Sequence, residues 1–167
     1  MPAEGAALSR LIGRYDVVGS GSAVILLHGC PFDRSMWREQ IGFLSARGYR
    51  AVAPDLRGMG QMKATSEIST MADMARDVAA LMDELKIDCA TICGMSMGGY
   101  VAFDFVHLFP TRVRALVLAG TRAPADNEQE MQAREQQAQR MRAEGMSFVA
   151  DATLAKLLAP QTLAEKH

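Results

Sequence analysis

No apolar run in the 167-residue sequence approaches the ~18 residues that a membrane-spanning helix requires, so membrane insertion is not expected. Basic residues are not in surplus either. The chain has 18 Lys and Arg against 19 Asp and Glu, a formal charge of -1, which argues against a nucleic-acid surface. Met1 to Leu11 has no positively charged stretch leading into an apolar one, so no secretory signal is expected. Three cysteines, an odd number, do not make a disulfide framework. Cys89 and Cys93 lie four apart in an expected strand, too far apart to bond each other. Together these absences point to a reducing cytoplasm. Gly94, Gly98 and Gly99 lack the spacing and the lysine of a phosphate-cradling loop, and no His, Cys or carboxylate cluster has metal-ligand spacing. Neither cofactor nor metal is therefore expected.

What is present is an apolar chain, 49% hydrophobic, long enough for one domain with a sizeable core. Leu11 to Val18 reads as short extended structure. Ala23 to Leu27 is apolar on both faces and stops at His28-Gly29, the pattern of a buried parallel strand. Trp37, Ile41 and Leu44 then share one helical face that ends at Gly48, and Tyr49 to Ala53 predicts a second strand. Met71, Met74, Ala75, Val78, Leu81, Met82 and Leu85 repeat at three-four spacing, with Thr70 and Asp73 as a capping pair. Ala90 to Cys93 predicts a third strand, Tyr100 to Phe109 a helix ended by Pro110, and Ala115 to Ala119 a fourth buried strand. Such alternation implies crossover connections, hence an α/β fold with a mostly parallel sheet covered on both faces. After Thr121 the character changes. Asp126 to Arg142, rich in Glu, Gln and Arg, and Ser147 to Leu158 both read as helices, and no strand follows. The expected division is 1–122 for the core and 123–167 for a helical appendage.

The chemistry is concentrated in Gly94-Met95-Ser96-Met97-Gly98, a G-x-S-x-G pattern. By composition alone that pattern arises in about one chain in twenty of this length, so its placement matters more than its presence. Here it falls between an expected strand and an expected helix, where a sharp turn lifts the serine hydroxyl clear of the sheet and small flanking residues avoid collision. An acyl-transfer site also needs two preorganised N–H donors where the oxyanion develops. The amide of Met97, the residue after the serine, is one candidate. The loop His28-Gly29-Cys30-Pro31 should supply the other through Cys30, since Pro31 has no N–H. Cys30 could instead be merely a small loop residue, or a second nucleophile.

LLHGCP (26–31), MWREQ (36–40), PDLRGMG (54–60) and GMSMGGYVAFDF (94–105), in this order and separation, make the chain resemble the α/β-hydrolase superfamily. The likeness is greatest to cofactor-free esterases, haloperoxidase-like members and 3-oxoadipate enol-lactonase-like members. VRALVLAGTRAPAD (113–126) is similar to the segment leading into that group's helical cap. The resemblance implies Ser96 as nucleophile, the amides of Cys30 and Met97 as oxyanion hole, and Asp55 to Gly60 as a bracing loop. It implies a partial cap over 123–167. It also implies a triad running Ser, then Asp or Glu, then His, with the last two on loops after later strands. Those strands are not in this sequence. His28 lies in the oxyanion loop and His167 is terminal. His107 sits about 16 Å down the helix from Ser96.

Two functions follow as expectations. The first is a serine hydrolase of carboxylic esters or lactones, acting through an acyl-enzyme on a small-molecule substrate, with acid and histidine supplied from elsewhere. The second is a truncated, catalytically inactive hydrolase-fold scaffold or interaction module. Without the later strands, Ala115 to Ala119 is expected to become an apolar edge that pairs with a complementary C-terminal chain or a second copy.

Overall fold

The computed structural model describes residues 14–64, 68–145, 148, 149, 153 and 157–165. Five strands form one sheet: β1 (Tyr15–Val18), β2 (Ala23–Leu27), β3 (Arg50–Pro54), β4 (Ala90–Met95) and β5 (Val113–Ala119), in the order β1-β3-β2-β4-β5. β1 is antiparallel to β3 and the other pairings are parallel. Helices α1 (Arg38–Ser45), α2 (Met71–Glu84) and α3 (Met97–Leu108) are the crossovers. The mostly parallel α/β sheet is thus as expected.

Period-two alternation in the strands sorts the core into two layers. Ile25, Leu27, Val52, Ala90 and Ile92 pack with Met74, Val78, Leu81 and Met82 of α2 and with Val101, Ala102 and Phe105 of α3. Val24, Leu26, Ala51, Ala53 and Cys93 form the opposite layer with Trp37 and with Ile41 of α1. β2 is buried along its whole length because both of its faces are used. The apolar stripe of α2 is buried as its spacing predicts, and Thr70 and Asp73 make a full capping box. α3 begins at Met97, three residues earlier than its apolar pattern predicts, because glycines at 98 and 99 carry no periodic signal.

Of the two expectations for Ala115 to Ala119, the buried strand is corrected and the apolar edge is the one observed: among the described residues β5 pairs only with β4, and Leu116, Val117 and Leu118 are 37, 48 and 43% exposed. Its apolar composition suits a strand with neighbours on both sides, and among the described residues it has one.

The chain divides into two compact units, the first running to Ala123 and the second from Pro124 onward. In the second unit α4 (Glu128–Glu144) is polar on all sides, is capped by a reciprocal Asn127–Glu130 box and ends at Gly145. A short helix α5 spans Pro160–Glu165. Most of the helix expected over 147–158 lies outside the described residues. Among the described residues no helix is long and apolar enough to cross a membrane.

The Thr70 box satisfies two amide groups at the start of α2, the helix that covers most of the larger core layer. Thr70→Ala should cost about 1 kcal/mol of unfolding free energy. Thr70→Ser should cost much less, both read from denaturant midpoints at unchanged slope.

Candidate functional site

β2 leads to α1 on one face of the sheet, while β4 leads to α3 on the other. The chain therefore diverges between neighbouring strands at their carboxyl ends, and open α/β sheets bind ligands in the crevice so formed. Register places Leu27 beside Gly94 and Met95 beside Ala119. The residues that come next, His28-Gly29, Ser96 and Gly120-Thr121, consequently meet at one rim.

Ser96 occupies the turn between β4 and α3 with φ 51° and ψ −115°, a left-handed φ rare for a residue with a side chain. Such a conformation costs about 1–3 kcal/mol and persists only where the surroundings over-determine it. Those surroundings are glycine and backbone. A β-carbon at Gly94 would collide with the carbonyl of Gly98, and one at Gly98 with the carbonyl of Leu27. A β-carbon at Gly29 would lie 3.3 Å from the Ser96 β-carbon and 3.9 Å from Oγ. The glycine before Cys30 is therefore packed directly on the candidate nucleophile, and Cys30 itself is exposed. Met97 is the first residue of α3, where backbone N–H groups have no partner within the helix. Ser96 thus sits at the positive end of a twelve-residue helix.

The loop after β2 is held from behind by His28, which is fully buried. Leu56 N–H donates to its Nε2 at 2.9 Å, leaving Nδ1 to donate to the carbonyl of Gly29 at 3.0 Å. Both ring nitrogens are committed, and a proton on Nε2 would face a second donor. Burial pushes the imidazole below its ordinary value of 6.5, against smaller opposing contributions from the Gly29 carbonyl and from Asp55 and Asp33. His28 is a neutral strut. His107 is exposed near the far end of α3, and His167 lies outside the described residues. Asp55, also buried, accepts from the amides of Arg34 (2.9 Å) and Gln61 (2.7 Å) and pairs with the Arg34 guanidinium. Its carboxylate is fully occupied in bracing the loop after β3 against the turn before α1. A side chain at Gly60 would collide with it.

Sequence reasoning missed the third member of the rim. Ser96 N–H donates to the carbonyl of Ala119 at 2.9 Å, and Thr121 Oγ1 donates to the carbonyl of Ser96 at 2.9 Å. No periodicity signals a hydroxyl bond to a carbonyl 25 residues earlier. Among the described residues, no group of three or more His, Cys, Asp or Glu is placed to hold a metal ion.

Because the folded chain binds the His28 proton less readily than the unfolded chain, stability is present above pH 6.5 and is lost as pH falls below it. The melting temperature should therefore fall from about pH 7 to about pH 5, and His28→Asn should flatten that slope while lowering the value at neutral pH. An unchanged slope in the variant would refute the strut.

Residues 22–162 match the profile described as the alpha/beta hydrolase fold. Among solved structures, the chain is similar to a thermophilic esterase from Thermogutta terrifontis, with 36% identity and a TM-score of 0.85 over 91% of this chain and 56% of that one. It is also similar to the enol-lactonase from Burkholderia xenovorans LB400, with 29% identity and a TM-score of 0.81 over 93% of this chain and 61% of that one. Among curated proteins, Epoxide hydrolase 2 of Siraitia grosvenorii is 44% identical over 102 residues, 60% of this chain and 32% of that protein. The chain thus spans about a third of that curated relative and little more than half of the esterase. A strained serine at the strand–helix turn, glycine packing around it and a match over 22–162 agree: the chain belongs to the α/β-hydrolase fold family.

Proposed function

We propose that this chain carries the nucleophile half of a serine hydrolase acting on carboxylic esters or lactones. Ser96 attacks the acyl carbon, and the developing oxyanion is held by the amides of Cys30 and Met97. The alcohol leaves, and water then cleaves the acyl-enzyme. The observation that carries the reading is the left-handed Ser96, with Gly29 against its hydroxyl at the positive end of α3. The likeness to an esterase and an enol-lactonase supports this substrate class. Residues 123–167 are read as part of a helical cap.

His28 and His107 do not serve as the base, the first being occupied on both nitrogens and the second distant. The acid and histidine therefore come from a segment equivalent to the part of the longer relatives that this chain does not match. Without them a serine hydroxyl is a weak nucleophile, and removal of a triad histidine elsewhere costs about 10⁶ in rate.

The identity to an epoxide hydrolase favours a second reading, hydrolysis of epoxides. Serine chemistry disfavours it, because a serine that opened an epoxide would be left as an alkyl ether. Water does not cleave an ether as it cleaves an ester.

Intact-mass analysis after fluorophosphonate exposure tests the assignment. With the complementing segment present, one adduct should form on Ser96 and vanish in Ser96→Ala. An adduct that survives that substitution overturns it. The edge that β5 presents among the described residues supports pairing with a strand of that complementing segment. Light scattering of the 167-residue chain alone should accordingly show concentration-dependent association, reduced by Val117→Lys. A monodisperse monomer would count against an edge that needs covering.

A further inference from the structure

We infer that Thr121 is the positioning residue of this site: its hydroxyl aims the Met97 amide by holding the carbonyl of Ser96. A peptide unit is planar, so the Ser96 carbonyl and the Met97 N–H point in opposite directions from one rigid plate. Whatever fixes the carbonyl fixes the amide. Two donors fix it, Gly99 N–H at 2.9 Å from within α3 and Thr121 Oγ1 at 2.9 Å from the loop after β5. The other side of the same residue is held by Ser96 N–H donating to Ala119 at 2.9 Å. The strained serine is therefore gripped on both of its peptides by residues 119–121, the end of a strand and its loop.

Glycine at 99 is what allows the grip. A β-carbon there would collide with Thr121 through its hydroxyl and its methyl alike, so the threonine occupies the space that the glycine leaves. The residue is half-buried and joined to the first compact unit, and its hydroxyl bond spans 25 residues of chain. Its γ-methyl packs at Gly99 while the hydroxyl meets the carbonyl, and the two functions can be separated by substitution.

The inference rests on the reading of Ser96 and Met97 as nucleophile and oxyanion donor, yet its test needs no hydrolase activity. Ser96→Cys places a thiol at the turn, and a thiolate there draws on the same Met97 amide and the same helix field. Alkylation by iodoacetamide across pH, resolved by residue with mass spectrometry, gives the rate and titration midpoint of that thiol. Cys89, just before β4 at the opposite end of that strand, is the internal reference.

Two pairs of variants isolate the hydroxyl. Threonine and valine both carry the methyl at 121, whereas serine and alanine both lack it. In the Ser96→Cys background, Thr121→Val should slow alkylation at residue 96 about fivefold at neutral pH and raise its midpoint, the scale of one lost hydrogen bond. Thr121→Ser should stay within about twofold of threonine, and Thr121→Ala should match valine. Should Thr121→Val fail to melt cooperatively, the serine and alanine pair decides alone. Equal pH profiles with and without the hydroxyl overturn the inference. So does an equal loss in serine and alanine, which would assign the effect to methyl packing on Gly99. If the thiol profile responds as expected but no ester is cleaved and no fluorophosphonate adduct forms with the complementing segment present, the hydrolase reading fails and the positioning role stands.

Discussion

The site depends on the close approach between the first turn of α3 and the carboxyl ends of β2 and β4. Gly94 lies against the Gly98 carbonyl and Gly98 against that of Leu27, with no space at either glycine for a side chain. That contact lets the chain leave the sheet at once, at Ser96, in a left-handed conformation. Were α3 a methyl group further from the sheet, the turn could relax, and the hydroxyl would not stand at the rim beside Gly29. The rest of the site follows from this approach, because the helix field and the Gly29 loop both converge on the serine it holds.

Behind the rim lie two buried polar groups whose partners are complete. His28 is satisfied by Leu56 and Gly29, and Asp55 by Arg34 and Gln61. Each ties one loop at the carboxyl end of the sheet to another, so the loops after β2 and β3 are braced rather than free. Buried polar groups stiffen a site when every member is paired, and an unpaired member would cost more than the pair contributes. These groups therefore brace the candidate site from behind.

The centre of the sheet and its β5 edge differ in kind. Around β2 both faces are buried and the strand has neighbours on both sides. At β5 a largely apolar strand is exposed, yet its last residues and the loop beyond hold the candidate nucleophile in place. The grip on Ser96 thus depends on a strand that, among the described residues, is supported from one side.

Local order was legible because its causes are local. The alternation of Ala23 to Leu27, the three-four stripe from Met71 to Leu85 and the Thr70–Asp73 cap all act within a few residues, and each forms as its spacing predicts. The G-x-S-x-G turn belongs to the same class, since small residues on either side of a serine are a short-range requirement. Composition alone makes β5 a buried strand, because it reports what a strand could bury and not what lies next to it; the exposed edge was expected only through the family resemblance. The early start of α3 escaped periodicity because Gly98 and Gly99 have no side chains to repeat. The His28–Leu56, Arg34–Asp55 and Thr121–Ser96 bonds join residues 21 to 28 positions apart. Bonds of that kind exist only once the sheet register has set which strand ends meet. The sequence by itself determined the elements and the glycine-flanked serine turn, through interactions within a few residues. Only the tertiary structure decided which backbone groups hold that turn in place, because register and crossover path, not spacing along the chain, bring those groups within reach.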